Sequence, residues 1–81
     1  MTRFRVATFA RYAELLGGHD LDVELATPAT VADLIAALRM LPGGAALPAA
    51  PLVAVNLNLA DHSTPVAAGD EVALLPPLAG G

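Results

Sequence analysis

The chain contains no cysteine, no lysine and no tryptophan, and each absence removes a class of chemistry. Without cysteine there is no disulfide framework, no thiolate nucleophile and no sulfur ligand for a metal, so any sulfur chemistry has to use the backbone terminus. Without lysine a Schiff-base nucleophile is excluded, and the chain can accept an isopeptide bond only at its N-terminal amine. Aromatic residues are limited to Phe4, Phe9 and Tyr12, and much of the 56% hydrophobic content is alanine, so the core has to be built from Leu, Val and Ile. Positive charge is scarce as well: Arg3, Arg5, Arg11 and Arg39 stand against eight carboxylates, for a net charge of −4. Nucleic-acid binding leaves a basic stripe, so this balance points to a protein partner instead. No apolar run approaches the roughly 20 residues of a membrane helix, and Met1-Thr2-Arg3-Phe4-Arg5 lacks a signal-peptide core and cleavage site. A cytosolic protein with neither membrane nor nucleic acid as partner is expected.

What is present fits one small domain of 81 residues, a size at which a chain buries about 60–65% of its unfolded surface. Residues 3–9 begin with Phe4 and Val6 on one face and Arg3 and Arg5 on the other, the alternation of a first strand. Ala10 to Leu16 predicts a short helical turn stopped by Gly17-Gly18. Leu21-Asp22-Val23-Glu24-Leu25 alternates again and predicts a second strand paired with the first. After Pro28, Thr30 has the character of an N-cap with Asp33 at the third helical position. Val31, Leu34, Ile35, Leu38 and Leu41 then form one apolar stripe, so the main helix should lie across a sheet and end at Pro42-Gly43-Gly44. Ala45 to Pro51 reads as a loop, and Leu52-Val53-Ala54-Val55 as a central strand buried on both faces. A hairpin or irregular excursion with at most one short strand is expected over Asn56 to Pro65, a tight turn over Val66 to Asp70, and a last strand over Glu71 to Leu75. One substantial helix with no regular βαβ repetition predicts an α+β fold, a mixed sheet of four to five strands wrapped on that helix.

Side chains offer little catalytic chemistry. His19 and His62 each stand beside an aspartate, but neither has a second ligand at metal spacing, and both read as surface turn residues. Ser63 is the sole serine and no nucleophile elbow surrounds it. Asp33 is accounted for as a helix-start charge and Asp70 as a turn residue, while Gly17-Gly18 and Gly43-Gly44 follow helices and read as C-caps, not phosphate loops.

The end of the chain is different. Leu75-Pro76-Pro77-Leu78-Ala79-Gly80-Gly81 carries a strand-like run into two prolines and then two glycines. Proline lacks the N–H that would continue a ladder, so the segment should leave the body extended and unpaired. Glycine adds backbone without a side chain, so a carboxylate carried on Gly80-Gly81 could enter a tunnel too narrow for any Cβ. That carboxylate is ionised at neutral pH and a poor electrophile. Conversion to a mixed anhydride with AMP would give it a leaving group, after which sulfide would yield a thiocarboxylate or an amine an amide. The expected division is therefore residues 1–75 as the domain and 76–81 as a tail. Phe9, Leu59 and Leu75 are candidates for an exposed apolar docking patch beside it.

Over its whole length the sequence resembles the small, sulfur-carrying subunit of molybdopterin synthase, a ubiquitin-like β-grasp protein. The resemblance rests most on Val55-Asn56, Thr64-Pro65-Val66 and Gly69-Asp70-Glu71-Val72-Ala73-Leu74-Leu75-Pro76-Pro77-Leu78-Ala79-Gly80-Gly81, and less on Phe9-Ala10, Glu14-Leu15-Leu16-Gly17 and Thr30-Val31-Ala32-Asp33-Leu34. The double proline separates that family from the thiamine-pathway sulfur carrier, which shares the fold and the diglycine. The resemblance implies a cycle in which an E1-like adenylyltransferase uses ATP to adenylate Gly81 and a sulfurtransferase delivers sulfur, giving a thiocarboxylate. The tail would then enter the large subunit of the synthase, where sulfur passes to cyclic pyranopterin monophosphate and two rounds install the dithiolene of molybdopterin. It further implies that Gly80 serves in threading, that Phe9, Leu59, Leu75, Pro76, Pro77, Leu78 and Ala79 contact the partner, that no cofactor or metal is bound permanently, and that the chain is inactive alone. Two departures bear on partner affinity: Ala67-Ala68 stands where the family often has a charged or polar residue, and Leu57-Asn58-Leu59-Ala60 replaces a more polar hairpin. The other functions open to this tail are sulfur delivery to thiamine or thio-amino-acid synthesis, protein modification through an isopeptide at Gly81, and no chemistry at all in a plain binding domain.

Overall fold

The computed structural model describes residues 1–76. Strand β1, Thr2–Thr8, alternates as its sequence predicts, burying Phe4, Val6 and Thr8 and exposing Arg3 and Arg5. Thr8 is a fully buried polar residue, and its hydroxyl is satisfied by donating to the carbonyl of Gly18. Helix α1, Ala10–Leu16, turns Tyr12, Ala13 and Leu16 into the core and ends at Gly17, whose φ of 80° lets its N–H return to the carbonyl of Ala13. The chain then runs back as β2, Asp20–Leu25, antiparallel to β1 with Val23 opposite Phe4.

Strand β3, Ala29–Thr30, leads straight into helix α2, Val31–Arg39. Thr30 and Asp33 form a reciprocal capping box, worth about 1 kcal/mol in typical helices. Two more of the donors a helix start leaves free are met from a distant loop, Val31 N–H by the Thr64 carbonyl and Ala32 N–H by that of His62, each at 2.9 Å. His62 lies in a turn, as the sequence suggested, but is half-buried there, its ring Nε2 lying 3.2 Å from the Pro51 carbonyl. Val31, Leu34, Ile35 and Leu38 are buried on one side of α2, and Leu41 packs against the same core from beyond the helix end.

The helix stops earlier than its apolar stripe, at Arg39, and Gly43 is not its C-cap. Gly43 instead precedes a 3₁₀ turn, Gly44–Ala46, that drops Leu47 into the core. Both glycines sit where backbones meet: a Cβ on Gly43 would overlap the carbonyl of Leu15 in α1, and one on Gly44 the carbonyl of Leu38 in α2. Their job is close packing of two helices.

The remaining strands are β4 (Leu52–Val55), β5 (Asn58–Leu59), β6 (Pro65–Val66) and β7 (Val72–Leu75). The main sheet has the order β2-β1-β7-β4-β5, with β1 and β7 parallel and the other pairs antiparallel, while β3 and β6 form a separate two-stranded ribbon. The central strand is therefore β7, and β4 is buried on one face only. Val53 and Val55 point inward, whereas Leu52 is 41% exposed and Ala54 half-buried. Val66 is likewise not in a turn. It is buried and pairs with Ala29, and the turn proper runs from Ala67 to Asp70. Helix α2 covers the inner face through Phe4, Val6, Val23, Val53, Val72 and Leu74, and the opposite face of the sheet carries no helix among the described residues.

Candidate functional site

The uncovered face is built by the alternate residues of the same strands. Register places Ala7, Ala73 and Ala54 in one row across β1, β7 and β4, with Leu59 of β5 beside Ala54. Leu75 pairs with Leu52 in the next row, and Phe9 follows the end of β1 on that side. The small side chains of Ala7, Ala54 and Ala73 floor a shallow groove of about 670 Å³ whose lining includes Phe9 and Leu57 and also Asp70 and Glu71 beside the start of β7, while Leu52, Leu59 and Leu75 lie on the same face outside it. Its far flank is charged: Arg3 lies opposite Glu24 and Arg5 opposite Asp22, with an Arg5 to Asp22 contact at 4.0 Å between two exposed side chains.

Phe9 is 45% exposed and Leu59 72% exposed, while Leu75 and Pro76 are half-buried. The structure therefore brings Phe9, Leu59 and Leu75 to one face although 50 residues of sequence separate the first two (9 and 59). Two further residues, Leu52 and Leu57, belong to this face and are not among the docking candidates read from the sequence. Leu52 had been absorbed into a buried strand, although its alternation with Val53 and Val55 was a usable signal. Leu57 had been noted only as part of a hairpin less polar than expected, and it is 90% exposed. Its φ is 70° and that of Asn56 is 51°, so the two residues form the left-handed pair that a two-residue hairpin loop requires. Asparagine tolerates this region, whereas leucine in it is uncommon.

Asn56 also ties this hairpin to the start of the central strand. Its backbone N–H donates to the Glu71 carbonyl (2.7 Å), its side-chain oxygen accepts from the Glu71 N–H (2.9 Å), and its side-chain nitrogen donates to Asp70 (3.1 Å). Asp70 accepts in addition from the Ala67 N–H (2.8 Å), closing a turn in which Gly69 has φ of 88°. The Ala67 N–H first, and then the Asn56 amide, hold the Asp70 carboxyl below its usual range. A depressed carboxylate pKa contributes stability above its unfolded value and loses it as pH falls through the folded one. Melting temperatures of the wild type and Asp70→Asn should therefore differ by a constant margin at neutral pH, and the margin should close below about pH 4. A margin that persists at lower pH would show that the carboxylate charge is not what the turn uses.

Pro76 leaves β7 immediately beyond Leu75, so the central strand of the sheet ends where the tail begins. Pro77, Leu78, Ala79, Gly80 and Gly81 lie outside the described residues. Among the described residues no group of His, Asp or Glu has a metal-binding arrangement, and no helix is long and apolar enough to cross a membrane.

A mixed five-stranded sheet wrapped on one main helix, with parallel β1 and β7 at its middle, makes this a ubiquitin-like β-grasp protein. The family model described as the ThiS family matches residues 6–81, and the chain belongs to that family, with the fold of its sulfur carriers. Among solved structures it is similar to SAMP1 from Haloferax volcanii, at 31% identity and a TM-score of 0.81, covering 98% of this chain and 99% of that one. It is similar also to molybdopterin converting factor subunit 1 from Pyrococcus furiosus, at 23% identity, a TM-score of 0.81 and coverage of 96% and 100%, a likeness of fold. A complex of subunits 1 and 2 of molybdopterin-converting factor from Helicobacter pylori matches at 25% identity and a TM-score of 0.70, covering 99% of this chain and 100% of that one. Comparison with curated protein sequences gives no match.

Proposed function

We propose that this chain is the sulfur-carrier subunit of a cytoplasmic molybdopterin synthase, inactive alone, with Gly81 as its reacting residue. In this reading the Gly81 carboxylate attacks the α-phosphorus of ATP on an E1-like partner and releases pyrophosphate. Sulfur delivered by a sulfurtransferase and released at the sulfide level then attacks the acyl carbon, the bond to AMP breaks, and a thiocarboxylate is left. Gly80 and Gly81 enter the large subunit because they have no side chains to exclude, and the thiocarboxylate gives its sulfur to cyclic pyranopterin monophosphate. Phe9, Leu59 and Leu75 seat the domain on that subunit with Leu52 and Leu57 beside them, while Pro76, Pro77, Leu78 and Ala79 span from the domain to the reacting end. The observation that carries the reading is the junction of β7 with the tail. The middle strand of the sheet brings Leu75, next to the tail, onto the open face that also carries Phe9, Leu52 and Leu59, in a ThiS-family protein. A relative of similar length is seen in complex with a second subunit.

A second reading, protein modification, is favoured by the 31% identity with SAMP1, which a related solved structure describes as small archaeal modifier protein 1. The two readings differ in the fate of Gly81. After incubation with ATP, an E1-like enzyme and a sulfur donor, cleavage at Glu71 releases the peptide Val72 to Gly81, which contains no methionine. Oxygen-to-sulfur exchange in its mass is the expected result, and methionine oxidation cannot imitate it. A terminus found joined to another protein's lysine would establish the modifier, and an unchanged terminus with active enzymes would remove both.

A further inference from the structure

Strand β2 forms one edge of the sheet, and its outer side meets no other strand among the described residues. The bond from Thr8 N–H to the His19 carbonyl fixes which residues face inward. Leu21, Val23 and Leu25 exchange bonds with β1, so the N–H and C=O groups of Asp20, Asp22 and Glu24 point away from the sheet. The side chains of those three residues stand on the open face as a row of exposed carboxylates. Arg3 and Arg5 lie on the β1 side of that row, leaving its outward side without a cation. On the other face a second groove, of about 450 Å³, runs between the end of β2 and one flank of α2. Leu25 at the end of the strand and Ala26 and Pro28 just after it line one side, and Asp33, Ala36 and Ala37 of the helix with Met40 just beyond it line the other. Met40, the C-cap residue of α2, is 85% exposed there.

We infer that the β2 edge is a strand-addition site for an extended segment of a partner protein in which lysine or arginine alternates with valine, isoleucine or leucine. Such a segment would take its backbone bonds from Asp20, Asp22 and Glu24, lay its cations along their carboxylates, and place its alternate apolar residues toward Leu25, Ala37 and Met40. The alternation follows from the pleat, which sends successive side chains to opposite faces, one acidic and one apolar except for Asp33. A second copy of this chain is the wrong occupant. Pairing β2 with β2 would set carboxylate beside carboxylate at about 5 Å, and like charges across a strand pair are destabilising. The acidic row thus guards the edge against self-association and selects a cationic strand by the same charge. Asp20 and Asp22 also line the groove between Phe9 and Leu57, so an occupant of the β2 edge and one of that groove would share those two carboxylates.

The test is a titration of the full chain with an acetylated, amidated octapeptide of alternating lysine and valine, followed by backbone and methyl resonances and by amide exchange. The amides of Asp20, Asp22 and Glu24 should exchange about tenfold more slowly or better at saturation, as edge groups gain partners. The Met40 methyl should shift with them, and affinity should fall about tenfold or more near 1 M salt, where the Debye length is about 3 Å. Asp22→Lys should abolish binding, and Met40→Asp should weaken it, with the melting temperature of each checked against the wild type. A peptide alternating glutamate and valine should not bind. Shifts centred on Ala54, Ala73 and Leu59, binding that survives Asp22→Lys in a folded protein, or no binding at millimolar peptide would each overturn the proposal.

Discussion

Replacing Gly43 by alanine should destabilise the protein by about 2–5 kcal/mol, whereas the same change at Gly17 or Gly69 should cost only about 1–2 kcal/mol. All three glycines have φ between 80° and 88°, so each substitution incurs the left-handed penalty. Only at Gly43 would the new methyl also overlap a backbone atom, the carbonyl oxygen of Leu15; at Gly17 and Gly69 the space is open. A backbone carbonyl cannot swing aside as a side-chain end can, so α1 would have to move off the turn that carries Leu47 into the core. Total stability in a domain of this size is of order 4–12 kcal/mol, and the loss at Gly43 would be visible as a large shift in chemical denaturation midpoint. Equal losses at the three sites would mean that the helices relax around the added methyl and that close packing is not what Gly43 provides.

Deleting Gly81, or appending one residue after it, should reduce sulfur transfer to the partner's substrate by about 10²-fold or more while leaving the melting temperature unchanged. Stability should be untouched because, among the described residues, the last one that pairs in the sheet is Leu75 and the last buried in the core is Leu74. Transfer is sensitive because an extended residue spans about 3.3–3.6 Å, so one residue more or fewer displaces the terminal carboxylate by that distance from where a docked domain presents it. The domain cannot slide to compensate if Phe9, Leu59 and Leu75 seat it. Single-turnover transfer with a preloaded carrier and excess partner separates the chemical step from docking. Full activity in either variant would end the assignment of Gly81 as the reacting residue.

Local patterns made most of the elements legible. The alternations Phe4-Val6 and Leu21-Val23-Leu25 gave two strands because side-chain direction in a strand depends only on parity. Thr30, Asp33 and the stripe from Val31 to Leu38 gave the main helix because capping and the 3.6-residue repeat act within a few residues. The resemblance carried by Gly69 to Gly81 led to the family that the match over residues 6–81 shows. Errors fell where a distant partner decides. Gly43 read as a helix stop because nothing local reveals that the Leu15 carbonyl packs against it. Val66 read as a turn because its strand partner is Ala29, and Leu52 read as buried because a four-residue apolar run does not say which of its faces the helix covers.

What the sequence determined by itself is therefore most of the elements, since these follow from residue type and near-neighbour spacing. Only the tertiary structure decided that β7 is the middle strand, parallel to β1, and that Phe9, Leu52, Leu57, Leu59 and Leu75 share a face. It decided as well that Asn56 closes on Asp70, and that β2 keeps an acidic edge open. The physical reason is that strand order and register are settled by which apolar faces can be buried together, a property of contacts between residues tens of positions apart.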